Sequence, residues 1–266
     1  MTRLGYEASG DVERPAILFL HGFMGSSGDW KAVAAALEEQ FYCVAVDLPG
    51  HGASVGLPPE SYTVEGATRS LVDLLDELAI ERAVAVGYSM GGRLALFLAL
   101  RYPERCAGLF LESASPGLES TAERTARRKS DEEKARRLES ENFERFLRDW
   151  YRQPLFASLA RHEELLQQTI EARRRNEPRE LARSLRGMGI GSQPSLWGEL
   201  AGLRLPTLAV AGALDGKYVG VSRCMATLSP KLRATVVPGA GHNVRVELTK
   251  EYITLLRGFL DTDDLS

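Results

Sequence analysis

Cysteine is scarce: Cys43, Cys106 and Cys224 are the three in 266 residues, scattered and with no CxxC pair. An odd, dispersed set excludes a disulfide scaffold and fits a reduced, cytoplasmic protein whose thiols are expected to be buried. No apolar run approaches the roughly 18 residues needed to span a bilayer. Met1 to Pro15 also lacks the apolar segment of an export signal, so a membrane role is not expected. Net charge is only -3, which leaves no electrostatic footprint for nucleic acid. No group of His, Cys, Asp and Glu has metal-ligand spacing, and no glycine-rich loop has a Rossmann or Walker pattern. Neither a metal nor any other cofactor is implied.

What is present is a hydrophobic content of 44%, ordinary for a globular chain and enough for a core without staples. Six short apolar runs stand out: Ala16–Leu20, Tyr42–Val46, Ala83–Val86, Cys106–Leu111, Thr207–Ala211 and Ala234–Val237. They do not alternate with polar residues, which suits strands buried on both faces of a parallel sheet. Helical spacing lies between them, at Trp30–Glu39, Thr63–Leu78, Met90–Arg101 and Lys250–Leu260. Strand and helix in alternation predict a doubly wound α/β sheet. From Ser115 to Trp197 the alternation stops and the chain becomes charged and helix-prone. The expected organisation is a core of residues 1–114 and 198–266 with a helical lid, 115–197, over the sheet's C-terminal edge, where ligands of open α/β sheets bind. The acidic end, Asp261–Ser266, is expected to fray.

Gly87-Tyr88-Ser89-Met90-Gly91 matches G-x-S-x-G. The pattern alone is weak; its setting, after a buried strand and opening an apolar helix, is that of a strained elbow presenting a serine hydroxyl. A serine needs a base. His242, in Gly239-Ala240-Gly241-His242-Asn243, follows the last strand in a loop free of core packing. Asp215, after the Thr207–Ala211 strand, would hold the imidazole tautomer. Each alone reads as an ordinary loop residue; together they stand in the order Ser, Asp, His, each just past a strand end. His21-Gly22-Phe23 follows the first apolar run, so the Phe23 and Met90 backbone N–H groups are assigned to an oxyanion hole. His51, in Pro49-Gly50-His51-Gly52, reads as a structural loop histidine and His162 as a solvent-facing one.

These residues resemble a family. Leu20-His21-Gly22-Phe23-Met24-Gly25-Ser26, Asp47-Leu48-Pro49-Gly50-His51-Gly52 and the triad are shared across α/β hydrolases, so the fold class is α/β with a mostly parallel sheet and a lid. Narrower pieces are Arg93 after the elbow, Asp149-Trp150-Tyr151-Arg152-Gln153-Pro154-Leu155-Phe156, and Gly212-Ala213-Leu214-Asp215-Gly216-Lys217-Tyr218. Nearly the whole chain is similar to the 2-succinyl-6-hydroxy-2,4-cyclohexadiene-1-carboxylate synthases of menaquinone biosynthesis. The resemblance implies a lyase, not a hydrolase: Ser89, activated by His242, removes a ring proton, and pyruvate is eliminated from an enolpyruvyl cyclohexene precursor. It also implies that Arg93, Arg127 and Arg173 bind carboxylates, with Arg174 and Arg175 as alternatives to Arg173, and that Tyr88 and Trp150 line the pocket. One departure is Val244-Arg245-Val246-Glu247 after His242-Asn243, where some relatives would place a second histidine.

Charge placement points the same way. Thr121 to Ile190 holds 17 Lys and Arg against 13 Asp and Glu, half the chain's cations in about a quarter of its length. A tricarboxylate needs several cations, and Arg binds carboxylate bidentately. Arg93, one helical turn from Ser89, can share its face at an anion-favouring helix N-terminus. Most of the other arginines are expected to pair with lid glutamates. The implied partner is a small anionic polycarboxylate, met by a monomer or weak homodimer. Two other readings stay open: a serine hydrolase of an ester, thioester or carbon–carbon bond, and a non-catalytic receptor on the same fold.

Overall fold

A computed structural model describes residues 4–262. Its elements run β1 Tyr6–Ser9, β2 Ala16–Leu20, α1 Lys31–Leu37, β3 Tyr42–Val46, α2 Val64–Glu77, β4 Ala83–Tyr88, α3 Met90–Arg101 and β5 Cys106–Glu112. Then come α4 Thr121–Ser140, α5 Phe143–Tyr151, α6 Glu163–Arg173, α7 Pro178–Met188, β6 Thr207–Gly212, α8 Gly216–Leu228, β7 Leu232–Val237, α9 Val244–Glu247 and α10 Thr249–Leu260. The strands form one sheet in the order β1-β3-β2-β4-β5-β6-β7, parallel except for β1, which runs antiparallel to β3. The apolar runs are continuous because both sheet faces are covered. Leu18 and Leu20 join α2, α3 and α8 residues on one side, and Ile17 and Phe19 join α1 and α10 residues on the other.

Two elements escape the apolar pattern. β1 is a half-exposed edge strand, Tyr-Glu-Ala-Ser, paired with β3. α8 buries Tyr218, Ser222 and Met225 and carries two glycines, so its helical stripe is thin. Residues 263–266 of the expected fraying end lie outside the described residues, and Asp261 caps α10. The cysteine expectation holds for Cys43 and Cys106, whose thiols burial pushes up to about 12. It fails for Cys224, which is exposed on the outer face of α8.

Between β5 and β6 the described residues form four α-helices, α4 to α7, with short 3-10 turns and no strand. Their charged sequence hides a small core of its own, in which Leu138, Phe146, Leu147, Tyr151, Ile170, Leu181 and Leu185 pack around Met24 of the loop after β2. α4 starts at a capping box, Ser120 with Glu123, which satisfies two otherwise free N–H donors. Asn176 donates to the Met24 carbonyl at 2.8 Å, Glu180 receives the Tyr62 hydroxyl, and Ser158 donates to Glu247 at 3.1 Å. These bonds seat the insertion on the loops after β2, β3 and β7.

The order matters at one place. From β2 the chain passes to β3 on one side, then returns to add β4 on the other. The loops after β2 and β4 therefore leave their adjacent strand ends in opposite directions and open a crevice. Leu20 pairs with Gly87 across it, which brings the residues that follow, Gly22-Phe23 and Ser89-Met90, to the same sheet edge.

Candidate active site

Ser89 stands between β4 and α3 with φ 50° and ψ -105°, a left-handed conformation rare for a residue with a side chain. The neighbouring glycines make this possible. A Cβ on Gly91 would run into the Leu20 carbonyl, and one on Gly87 would stand 2.5 Å from the Gly92 backbone. The Ser89 N–H donates to the Glu112 carbonyl at 2.8 Å, which anchors the elbow to β5.

The three residues separated in sequence meet here. His242 Nε2 is 3.2 Å from Ser89 Oγ, and His242 Nδ1 is 2.6 Å from Asp215 Oδ2. Asp215 also caps α8, its Oδ1 accepting from the Tyr218 N–H at 3.3 Å, so one carboxylate is oriented by a helix and in turn orients an imidazole. His242 is not free of packing, as its loop position suggested; it is 2% exposed and sits among the Tyr88, Tyr218 and Phe156 rings. The contacts fix the ring plane. With Nδ1–H directed at Asp215, Nε2 is left to accept the serine proton.

Phe23 and Met90 both face the cavity, and among the described residues neither backbone N–H has an acceptor. The loop bearing Phe23 is braced against the loop after β3 by two buried histidines. His21 Nε2 accepts from the Leu48 N–H at 3.0 Å, and His51 Nε2 accepts from the Met24 N–H at 3.0 Å. Each Nδ1 faces a carbonyl, of Gly22 and of Pro49, and burial lowers the pKa of both rings. Both therefore stay neutral struts that donate at one nitrogen and accept at the other. His162 is exposed at the start of α6.

The cavity, about 250 Å³, is walled by the elbow, the insertion and the start of α8. Tyr88, Trp150, Arg93, Arg127 and Arg173 all line it. Trp150 packs 5.2 Å from Phe23 and 5.9 Å from Phe146, tying the aromatic wall to the insertion's core. Burial pushes the Tyr88 phenol well above its usual range, so it stays neutral.

The arginines divide sharply. Arg93 is 8% exposed and among the described residues has no carboxylate partner; it donates to Gln193 Oε1 at 2.6 Å and to the Met188 carbonyl at 2.9 Å. Burial lowers its pKa to about 10, which still leaves it cationic at neutral pH. Arg127 pairs with Asp131 at 2.7 Å. Arg173 reaches the cavity with its fork on Asp29, at 2.6 and 2.8 Å, and Tyr151 at 3.2 Å. Burial works against its charge, but Asp29 outweighs it and the pKa rises. Arg174 is exposed, paired with Glu144 and Glu171, and Arg175 lies on a separate surface groove. Other insertion arginines pair with local carboxylates, as Arg136 with Glu132 and Arg148 with Glu144.

Sequence reasoning missed a second buried layer. Arg245, three places past His242, lies 4.4 Å over the Trp30 ring, reaches the Asp29 carbonyl, and has Nε 4.0 Å from Glu112. Glu112 is fully buried and its Oε1 accepts from the Arg245 N–H at 3.0 Å. Burial raises its pKa to about 7. Charged side chains at the last residue of β5 and three places past His242 carried no pattern to mark them; only their shared burial does.

Fold and site together define an enzyme of the α/β-hydrolase class, and residues 15–247 match the family model described as the alpha/beta hydrolase fold. A Bacillus subtilis (strain 168) protein provisionally named 2-succinyl-6-hydroxy-2,4-cyclohexadiene-1-carboxylate synthase is 36% identical over 92% of this chain and 90% of its own. The synthase of that name from Serratia proteamaculans (strain 568) is 34% identical over 94% and 95%. The structure of MenH from S. aureus superposes with a TM-score of 0.93 at 32% identity, covering all of both chains. The chain belongs to the 2-succinyl-6-hydroxy-2,4-cyclohexadiene-1-carboxylate synthase family.

Proposed function

We propose that this enzyme eliminates pyruvate from 2-succinyl-5-enolpyruvyl-6-hydroxy-3-cyclohexene-1-carboxylate, leaving 2-succinyl-6-hydroxy-2,4-cyclohexadiene-1-carboxylate. The two structures differ by one 1,4-elimination. A base removes the ring C2 proton, which the succinyl carbonyl acidifies. The C2–H electrons become the C2=C3 bond, the 3-ene moves to C4=C5, and the C5–O bond breaks to release enolpyruvate. Its protonation gives pyruvate. No electron is gained or lost, so the chemistry requires only proton transfer and charge stabilisation.

Ser89 is the base, its own proton passing to His242 Nε2, with Asp215 stabilising the imidazolium that forms. The Phe23 and Met90 N–H groups hold the enolate oxygen as charge develops there. The imidazolium then returns the proton as the leaving group departs. Tyr88 and Trp150 enclose the ring and exclude water. The observation that carries the reading is Arg93: a buried guanidinium one turn from Ser89 with no carboxylate of its own. Removing a cation from water without an anion is unfavourable, and a neutral ester would leave it so. A carboxylate of the substrate completes it. The reading carries with it a cytoplasmic location, supported by three free thiols, and a monomer or weak homodimer.

Pyruvate release from the enolpyruvyl precursor tests this. Ser89→Ala should lower kcat by roughly 10³-fold or more, and Arg93→Ala should lower kcat/KM by about 10- to 100-fold, as expected for a lost charged hydrogen bond. No release by the wild-type enzyme, or full activity of Arg93→Ala on the tricarboxylate, would sink the lyase reading. In the second case a serine hydrolase takes its place.

A further inference from the structure

Asp215 and the surrounding rings fix the plane of the His242 imidazole, but how far it stands from Ser89 is set by the backbone that carries it. One buried side chain grips that backbone on both sides of the base. Glu247, the last residue of α9, is 9% exposed and turns its carboxylate back on the loop. Its Oε2 accepts the Gly241 N–H at 2.9 Å, and its Oε1 accepts the Asn243 N–H at 3.4 Å. Gly241 and Asn243 are the residues immediately before and after His242. Oε1 also accepts the Ser158 hydroxyl at 3.1 Å. The three donors are neutral, and a buried carboxylate is tolerated only where its oxygens are satisfied in this way. Such charge-assisted bonds are stronger than those between neutral groups.

We infer that Glu247 is a positioning residue: its two oxygens fix the peptide groups flanking His242, and so hold Nε2 within reach of the Ser89 hydroxyl. The inference rests on the roles given to Ser89 and His242 in the proposed function. Glu247 is not among the residues that line the cavity, so it acts through His242 and not on the substrate. The tolerance is small. A base takes a proton over roughly 2.6–3.2 Å, and His242 Nε2 already stands 3.2 Å from Ser89 Oγ. The clamp is itself anchored. The Glu247 N–H donates to the Asn243 carbonyl at 2.9 Å, and the Arg245 N–H donates to Glu112 Oε1 at 3.0 Å, which pins α9 to the end of β5. Gly241 lets the loop come this close, since a Cβ there would run into the Ser158 hydroxyl and stand 3.3 Å from Glu247 Oε1.

Two measurements on wild type, Glu247→Ala, Glu247→Gln and Ser158→Ala test the assignment: steady-state pyruvate release, and the far-downfield proton resonance of the His242 Nδ1–H, identified by its absence from His242→Ala. Glu247→Ala should lower kcat by about 100-fold, as for an ångström-scale misplacement. Its KM should stay within about threefold, because binding is untouched, and the resonance should shift or broaden. Glu247→Gln keeps an oxygen for the Gly241 N–H and should recover most of that loss. Ser158→Ala removes one neutral donor and should lower kcat by only about two- to fivefold. If wild type turns over and Glu247→Ala keeps kcat within about twofold, the assignment is overturned and the function stands. Equal losses in the Ala and Gln variants, with a lower melting temperature and the resonance in place, make Glu247 structural and overturn it too. If Glu247→Ala does not fold, the other two variants decide: kcat reduced in both at unchanged KM and melting temperature upholds the assignment, and kcat unchanged in both overturns it. No release by wild type removes the function, and the resonance then decides alone: displaced in Glu247→Ala it upholds the positioning role, unchanged it overturns it.

Discussion

The crevice between β2 and β4 and the insertion above it face the same cavity but are built differently. At the crevice, position comes from backbone against backbone: Gly91 against the Leu20 carbonyl, Gly87 against Gly92, Ser89 held at φ 50° and anchored to Glu112. Nothing there can move without moving the sheet. In the insertion, position comes from side chains, a small aromatic and leucine core ringed by arginine–carboxylate pairs. Such pairs can be exchanged one at a time at little cost. On the proposed function the difference would put the reacting groups on the rigid part and most of the charge recognition on the adjustable part, with Arg93 rooted in the elbow helix.

Four substitutions would break or sharpen that contrast. Gly91→Ala should have the largest effect, because its methyl would enter the Leu20 carbonyl. Little soluble protein and no pyruvate release are expected, whereas a well-folded, active variant would show that the crevice backbone yields. Asp29→Asn strikes where the two parts are joined. It would leave Arg173 unpaired at a buried site, with a loss of about 3–5 kcal/mol, read as a fall in melting temperature. Adding Arg173→Met should recover part of it; the same fall in both variants would mean that the pair does not tie insertion to core.

Glu112→Gln probes the buried layer under the crevice. Burial raises the Glu112 pKa from its ordinary 4.5 to about 7, so between those values the folded protein binds a proton that the unfolded chain does not. Wild-type stability should therefore fall, from this group, as pH rises from about 4.5 to about 7. The Gln variant should lack that slope in urea-unfolding midpoints, and parallel pH profiles would count against burial holding the Glu112 proton in this layer. The smallest effect is expected from Arg148→Ala. Its pair with Glu144 is about half exposed on both sides and 3.4 Å long, so a change within about 0.5 kcal/mol is expected. A larger one would make the insertion less tolerant than the contrast requires.

The central strands, the elbow and the Ser-Asp-His order were legible in the chain because each obeys a local rule. A strand covered on both faces must be continuously apolar, a tight strand-to-helix turn needs small residues, and a triad on this sheet must follow strand ends. β1 and α8 were not legible, since a half-exposed edge strand and a helix with a thin buried stripe differ little from loop in composition. The arginines mark the limit most clearly. Arg93, Arg127 and Arg173 are alike in sequence, and the chain's excess of cations in the insertion says only that an anion is wanted. Which cation is free depends on which carboxylate stands beside it: Asp29, 144 residues from Arg173, takes one, Asp131 takes another, and Arg93 meets none. The sequence by itself determined the sheet, the elbow that presents Ser89 and the order of the residues that meet it. Only the tertiary structure decided which charges remain unpaired, because pairing is set by distances between residues far apart in the chain, and no local pattern carries them.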